Sequence, residues 1–341
     1  MSDKNEKSTI YSIASEAKVS VATISRVFNR PYLVKEGTRR KILEICDRHG
    51  YEPSKIASAI TTKKTKTIAL LLPSFKEPPF MDLITGTEYE LSRRGYCLNI
   101  FNLRESIERE AEIAKIIDNR FIDGVIFSSV YGNKKDKIFI LEMMERDIPC
   151  IMVDRIIPGF NIPFVSSNDY LGGKIACEYA IENNHKKTGI ITYDRSVHIF
   201  NQRVKGFLSI LKKAGLEVSF IFDIPLIFKK IDSSVVNIIE DIIKSGVTFV
   251  FNTSDTIAIT LMRSLQEKEI SIPHDISIMG YDNISYSDLV YPRLSTIHHD
   301  MHEMGKKVAE ILTNKFETGI FENTKLILDP KIVKRDSVRA I

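Results

Sequence analysis

Side chains able to do chemistry concentrate at a few places in this 341-residue chain. The first is the run Val19-Ser20-Val21-Ala22-Thr23-Ile24-Ser25-Arg26-Val27-Phe28-Asn29. On a helix beginning at Val21, Ala22, Ser25, Arg26 and Asn29 share one face, and Ile24 and Val27 share the opposite one. The apolar face can pack while the other enters a major groove, where the first residues of a helix meet base edges. Arg26 has the donors for a guanine edge or a phosphate. The same periodicity also fits an ordinary amphipathic surface helix.

The second place is His298-His299-Asp300-Met301-His302-Glu303, in which His299 and Glu303 stand four apart, a spacing that helical metal sites use. A metal is not expected there. Asp154 and Asp282 each end an apolar run, where ligand contacts arise in parallel sheets. Ser74, Phe80 and Ser128 are weaker candidates of the same kind. There is no Walker loop, no dinucleotide-binding glycine fingerprint, no GxSxG and no HExxH, so neither a catalytic residue nor a cofactor is expected.

Charge is distributed unevenly along the chain. The net charge is +4, but residues 1–66 hold 14 Lys and Arg against 7 Asp and Glu, while the rest holds 34 against 37. A basic head on a slightly acidic body points to a polyanionic partner for the head alone. With 43% hydrophobic and 27% charged residues, the composition is that of a soluble globular protein of two or three domains. No apolar run approaches a membrane span, and no apolar segment follows the polar start, so a cytoplasmic address is expected. Cys46, Cys97, Cys150 and Cys177 are far apart and read as reduced thiols.

The elements that must hold these groups are legible in the same pattern. Thr9 is placed to cap a helix with Ile13, Ala14 and Ala17 on one face, and Ser20 to cap the next. Pro31 ends that helix, and a third runs from Glu36 to His49 and buries Ile42, Ile45 and Cys46. Two helices joined by so short a link make a helix-turn-helix. Pro53 to Ile60 allows one more short helix, and the polar run Thr61 to Thr67 marks a domain boundary. From Thr67 onward, short apolar runs alternate with amphipathic stretches. Strands are expected at 67–72, 97–101, 124–128, 149–153, 188–192, 247–251 and 276–280, and helices at 80–94, 107–119, 170–184, 200–214, 233–245 and 256–268. Such alternation predicts parallel, doubly wound α/β sheets, too many units for one sheet, with a ligand cleft between two subdomains.

The residues from Thr9-Ile10-Tyr11-Ser12-Ile13-Ala14 through Asn29 closely resemble the head of the lactose/galactose-repressor (LacI/GalR) family of regulators. Thr38-Arg39, Gly50-Tyr51-Glu52-Pro53, Thr67-Ile68-Ala69-Leu70-Leu71-Leu72, Asp123-Gly124-Val125-Ile126, Gly206-Phe207, Ile276 to Asp282 and Glu303-Met304-Gly305 resemble family landmarks in the same order. The resemblance spans about Ser8 to Val338; the head motif is specific and the body motifs moderately so.

It implies an all-α helix-turn-helix head plus an α/β periplasmic-binding-protein-like body of two doubly wound parallel-sheet subdomains. The implied divisions are a DNA-binding domain (1–52), a hinge helix and linker (53–66), and an effector-binding and dimerisation body (67–341). The body's subdomains are expected at about 67–163 plus 293–323, and about 164–292 plus 324–341. A homodimer on pseudo-palindromic double-stranded operator DNA follows, acting as a repressor. Val21 and Ala22 then fall where the family chooses bases; both are apolar and can touch only thymine methyls. Ser20, Thr23, Ser25, Arg26 and Asn29 match positions that hold phosphates or bases. Ala57 and Ile60 fall in the helix that wedges the minor groove, with Ile60 where leucine is usual. Lys18 replaces a turn glycine, and Lys35 a capping serine.

In the body, Arg203 and Asp255 match family ligand contacts, a fork and a carboxylate able to grip neighbouring hydroxyls or a purine edge. A structural ion pair or cap is the competing role for both, and a structural role competes equally for Asp282. Ser254 stands where the family often has Asn, and the aromatic usual after 216–224 has no clear match. The implied effector is a small molecule, a sugar or sugar derivative, whose binding closes the cleft and alters DNA affinity. The alternatives are a cytoplasmic solute-binding protein without gene control and, less favoured, a sugar or nucleoside enzyme.

Overall fold

The computed structural model describes residues 9–29, 31–51, 64–103, 107–117, 122–128, 134–157, 159–225, 231–320 and 324–341. The chain divides into two compact units, Met1–Thr65 and Lys66–Ile341. Ala57 and Ile60 lie outside the described residues, as does the expected helix from Pro53 to Ile60.

In the first unit, α1 (Ile10–Ala17) begins at a reciprocal cap: Ser12 N donates to Thr9 Oγ1 (3.3 Å) and Thr9 N to Ser12 Oγ (3.0 Å). Lys18 ends it in the left-handed region at φ 56°, the conformation the usual glycine serves. Ser20 Oγ accepts from Thr23 N (3.2 Å) and so starts α2 (Val21–Asn29), while α3 (Glu36–Arg48) begins at Lys35 without a side-chain cap. Ile13, Ala14 and Ala17 of α1, Ile24 and Val27 of α2, and Ile42, Ile45 and Cys46 of α3 form one small core. Glu16 ties the ends together, reaching Arg48 at 3.1 Å and His49 at 2.6 Å.

The second unit contains, among the described residues, two six-stranded sheets. The elements of the first lobe are β1 (Thr67–Leu72), α4 (Pro79–Arg93), β2 (Cys97–Asn102), α5 (Ile107–Ile116), β3 (Gly124–Phe127), α6 (Lys134–Glu145), β4 (Cys150–Val153) and β5 (Phe164–Ser167). The second lobe follows with α7 (Asp169–Glu182), β6 (Thr188–Tyr193), α8 (His198–Lys213), β7 (Val218–Ile224), α9 (Ile231–Ser245), β8 (Phe249–Asn252), α10 (Asp255–Gln266), β9 (Ser277–Asp282) and β10 (Ser295–His298). The chain then returns through α11 (Met301–Thr318) and β11 (Lys325–Leu328) and ends in β12 (Lys331–Val333). Strand order is β11-β5-β4-β3-β1-β2 in the first sheet and β12-β10-β9-β8-β6-β7 in the second. All pairs are parallel except β10 with β12.

Continuous apolar strands are the signature of sheets covered on both faces. In β1, Ile68, Leu70 and Leu72 join the layer containing α4 and α11, and Ala69 and Leu71 join the layer containing α5 and α6. The chain crosses between lobes at β5–α7, β10–α11 and β11–β12. The expected crossing points therefore shift: 164–167 and 325–328 pair in the first sheet, and 295–298 in the second. Partner choice, which no local pattern encodes, decides these short segments. Among the described residues no helix is long and apolar enough to cross a membrane.

The strained cap at Lys18 gives a direct test. Lys18→Gly removes a left-handed side-chain penalty of about 1–2 kcal/mol and adds unfolded-state entropy of about 0.4–1 kcal/mol. Amide-exchange protection of Ile13 and Ala14 in the full chain is expected to rise by about 0.5–1 kcal/mol; unchanged or lower protection contradicts this account of the turn.

Candidate nucleic-acid interface and ligand cavity

The first unit presents α2 as the sequence anticipates. Ala22 and Arg26 are exposed, Val21, Thr23 and Ser25 are half-buried, and Ile24 and Val27 are buried beneath them. Ser20 and Thr23 hold one another at the helix start, their hydroxyls 2.9 Å apart, and Asn29 ends the helix. Exposed Tyr11 on α1 and Tyr32 in the turn after α2 belong to the same unit. Sequence reasoning did not single them out, although Tyr11 falls off the Ile13-Ala14-Ala17 stripe and so had to face outward.

In the second unit a narrow cavity of about 30 Å³ lies where strands of both lobes end. The first lobe contributes Phe80 at the start of α4, and Asp154 and Arg155 after β4. The second contributes Tyr193 at the end of β6, Phe200 and Arg203 on α8, and Asp282 at the end of β9; His299 comes from the crossover before α11. Asp154 and Asp282 both have positive φ, 62° and 113°. Such conformations persist where surrounding structure imposes them, and they cluster at ligand sites.

Close helix packing builds the centre of the site. A Cβ on Gly173 would sit 1.9 Å from Arg203 O, and one on Gly206 2.0 Å from Tyr170 O, so α7 and α8 meet backbone to backbone. That approach brings Asp169, at the start of α7, to Arg203. The Arg203 guanidinium donates from Nε to Asp169 Oδ1 (2.8 Å) and from Nη1 to Thr253 O (2.7 Å) and Asp282 Oδ1 (3.1 Å). Its Cζ lies over the Tyr281 ring, 3.7 Å from the ring centre. Arg203, Asp169 and Asp282 are all nearly inaccessible to solvent.

His299 Nε2 stands 3.2 Å from Asp282 Oδ1. Burial disfavours charge on the imidazole, but the adjacent Asp282 carboxylate outweighs it and raises the pKa above the ordinary histidine value. Burial works against charge on Asp282 too, but Arg203 and then His299 hold its pKa down. Burial raises Asp154, against the pull of His299 and Arg155. Asp154 lines the cavity, and its Oδ1 is buried with no hydrogen-bond partner among the described residues, a state that calls for an explanation. Arg155 reaches Glu77 Oε2 at 3.1 Å and lies over the Phe80 ring.

Phe80, Asp154, Arg203 and Asp282 thus come together, and three expected contacts do not. Asp255 lies behind the cavity: its carboxylate accepts from Ile284 N (3.0 Å), Ser287 Oγ (2.6 Å) and Thr296 Oγ1 (2.6 Å), which uses it up structurally. Ser74 turns back on its own loop, its Oγ accepting from Lys76 N (3.1 Å). Ser128 is buried within the first lobe, outside the cavity wall. The His298–Glu303 run is divided: His299 lines the cavity, while its acidic residues are engaged locally. Asp300 caps α11 through Glu303 N (2.8 Å), Glu303 pairs with Lys306 (2.8 Å), and the described residues contain no metal-binding group of three. Asp169, His299, Arg155, Glu77, Tyr193 and Phe200 escaped the sequence reading; Arg155 adjoins Asp154, and His299 drew notice only as a metal ligand.

A helix-turn-helix unit joined in one chain to a two-lobed body with a polar cavity at its strand ends defines a DNA-binding transcription regulator. Residues 9–54 match the family described as bacterial regulatory proteins, lacI family, and residues 177–338 match the periplasmic binding protein-like domain. The HTH-type transcriptional repressor PurR of Vibrio atlanticus (strain LGP32) is 30% identical over 98% of this chain and 99% of its own. The PurR repressor of Vibrio vulnificus (strain CMCP6) is 29% identical over 98% and 99%. Among solved structures, the lac repressor dimer bound to operator and the anti-inducer ONPF matches with TM-score 0.87 and 19% identity, covering 98% of this chain and 100% of that one. A LacI family regulator from Enterococcus faecium with bound ribose matches with TM-score 0.72 and 25% identity over 81% and 99%. The chain belongs to the lacI family of bacterial regulatory proteins.

The buried charge network predicts a large cost for losing its cation. Arg203→Met leaves Asp169 and Asp282 buried and opposed. Urea unfolding of the full chain is expected to show a loss of about 3–5 kcal/mol. A loss under about 1 kcal/mol contradicts the central role given to this guanidinium.

Proposed function

We propose that this regulator is a cytoplasmic repressor that binds pseudo-palindromic operator DNA as a homodimer through α2, under the control of a small polyhydroxylated effector held in the body cavity. The division of labour follows the chain: residues 1–52 read DNA, 53–66 connect, and the body from residue 67 senses. The observation that carries the reading is the buried, unpartnered Asp154 Oδ1 beside Arg203 and Asp282 in a cavity walled by both lobes. An acceptor left unmatched at a cost of about 1–3 kcal/mol is explained by a ligand donor that completes it. Aromatic Phe80, Tyr193 and Phe200 supply the apolar walls that sugar rings and similar bodies pack against. The bound ribose of the Enterococcus faecium relative supports a carbohydrate class. Nothing in the proposal requires a catalytic step.

On DNA, the exposed Arg26 gives the head its charged reader, and Val21 and Ala22 restrict the helix start to apolar contact with thymine methyls. An operator selected from a random duplex library provides the test. If roughly 6–10 phosphates are neutralised, affinity should fall about 10³–10⁵-fold between 50 and 200 mM salt. Arg26→Ala should cost about 1–3 kcal/mol with relaxed selectivity if it reads a base, or lower the salt slope by about 1 if it holds phosphate. An unchanged affinity and slope refutes the assignment of α2. In a metabolite thermal-shift screen, a stabilising polyhydroxylated hit should also alter operator affinity and lose affinity in Asp154→Asn; a hit that does neither refutes the effector site.

A further inference from the structure

His299 is the one histidine in the cavity wall, and it sits in a crossover between the lobes rather than within either sheet. It is 4% exposed, and its ring meets the edge of Tyr281 with centroids 5.5 Å apart. The charged and titratable groups around it come from every neighbouring element. Asp282 and Tyr281 belong to β9, Arg203 to α8, and Asp154 to the loop after β4; His298 and Asp300 are its chain neighbours. Arg203 opposes a charge on the imidazole, but Asp169 and Asp282 already engage that guanidinium. Asp282 is shared between Arg203 and His299 through the same Oδ1. Asp154, from the opposite lobe, acts on the imidazole through space, and its Oδ1 has no hydrogen-bond partner among the described residues.

We propose that His299 is a proton-operated clasp: closing the two lobes takes up a proton on its imidazole, which then stands between Asp282 of the second lobe and Asp154 of the first. The proposal rests on the reading of the cavity as the effector site, and adds its regulation. The physical basis is that two buried carboxylates from different lobes repel unless a cation lies between them, and Arg203 is already committed. Asp154 already acts on the imidazole here, and closure brings it nearer, so the favourable interaction is stronger in the closed form. The sign follows from the raised histidine pKa. The contribution is complete below the ordinary histidine value of about 6.5 and is lost as pH rises through the raised value. Effector binding to the closed form is accordingly tighter at pH 6 than at pH 8.5.

The test uses the full-length chain and no effector. Hydrogen–deuterium exchange at histidine C2, read by mass spectrometry between pH 5 and 9, resolves each of the 7 histidines, with fragment ions separating His298 from His299. His299 is expected to titrate above about 6.5, and Asp154→Asn is expected to move its midpoint downward. A His299 midpoint at or below the ordinary value, or one unmoved by Asp154→Asn, overturns the clasp. Should Asp154→Asn fail to fold, thermal melts of wild type against His299→Gln decide. Wild type should lose its advantage between pH 6 and 8.5, and a constant difference overturns the proposal. A clasp that titrates as stated in a protein no metabolite stabilises removes the effector reading alone. A metabolite-responsive protein whose His299 does not titrate this way removes the clasp alone.

Discussion

The body depends on one guanidinium. Arg203 is almost wholly excluded from water, yet it makes short contacts to Asp169, Asp282 and the Thr253 carbonyl while its Cζ lies over the Tyr281 ring. Two buried carboxylates around one cation form an arrangement that stability alone does not favour, since apolar replacements of similar volume often do as well. What it provides is position. Asp169 opens the helix after the first crossover, Asp282 ends a central strand, and His299 adjoins it from another crossover. A single charge network thus connects segments that cross between the lobes to the wall of the cavity.

Other buried groups serve that network from behind. Asp255 holds Ile284, Ser287 and Thr296, and so fixes the loop after Asp282 and the strand leading to His299. Its Oδ1 would lie 2.0 Å from a Cβ at position 280, so Gly280 leaves room for the carboxylate. Arg335, near the C-terminus, donates to Asn283 Oδ1 (2.8 Å) and Leu294 O (2.8 Å), securing the same turn from the other side. Both lobes place an aspartate in positive φ at a strand end, and both stack an arginine near a phenylalanine: Arg155 by Phe80, Arg203 by Phe200. A ligand entering such a site meets charge and ring from each side, and this is how a small molecule acquires leverage on the relative position of the two lobes.

Much of this was legible in the sequence because it is local. The caps at Thr9 and Ser20, the α2 stripe of Ile24 and Val27, and the apolar run of β1 follow from periodicity and hydrogen-bonding capacity within a few residues. The short strands β5 and β11 were not legible, because a run of only four residues becomes a strand only when a partner is available. Asp255 illustrates the limit for the site. Its position beside a strand end matched a ligand contact, but whether a carboxylate faces a cavity or three protein donors is decided by residues about 30 to 40 positions away. His299 shows the converse: its neighbours in sequence hinted at metal, and its neighbours in space are an aspartate and a tyrosine ring.

The central claim is that occupancy of the body cavity and affinity for DNA are two sides of one equilibrium. Linkage makes that claim exact in form, because the factor by which effector changes operator affinity must equal the factor by which operator changes effector affinity. The most direct measurement is titration calorimetry of a stabilising metabolite into the full-length protein, alone and saturated with selected operator duplex. The account predicts a change of about 5–150-fold in metabolite affinity, matched by the reciprocal change in operator affinity. Identical metabolite affinities with and without operator would contradict it.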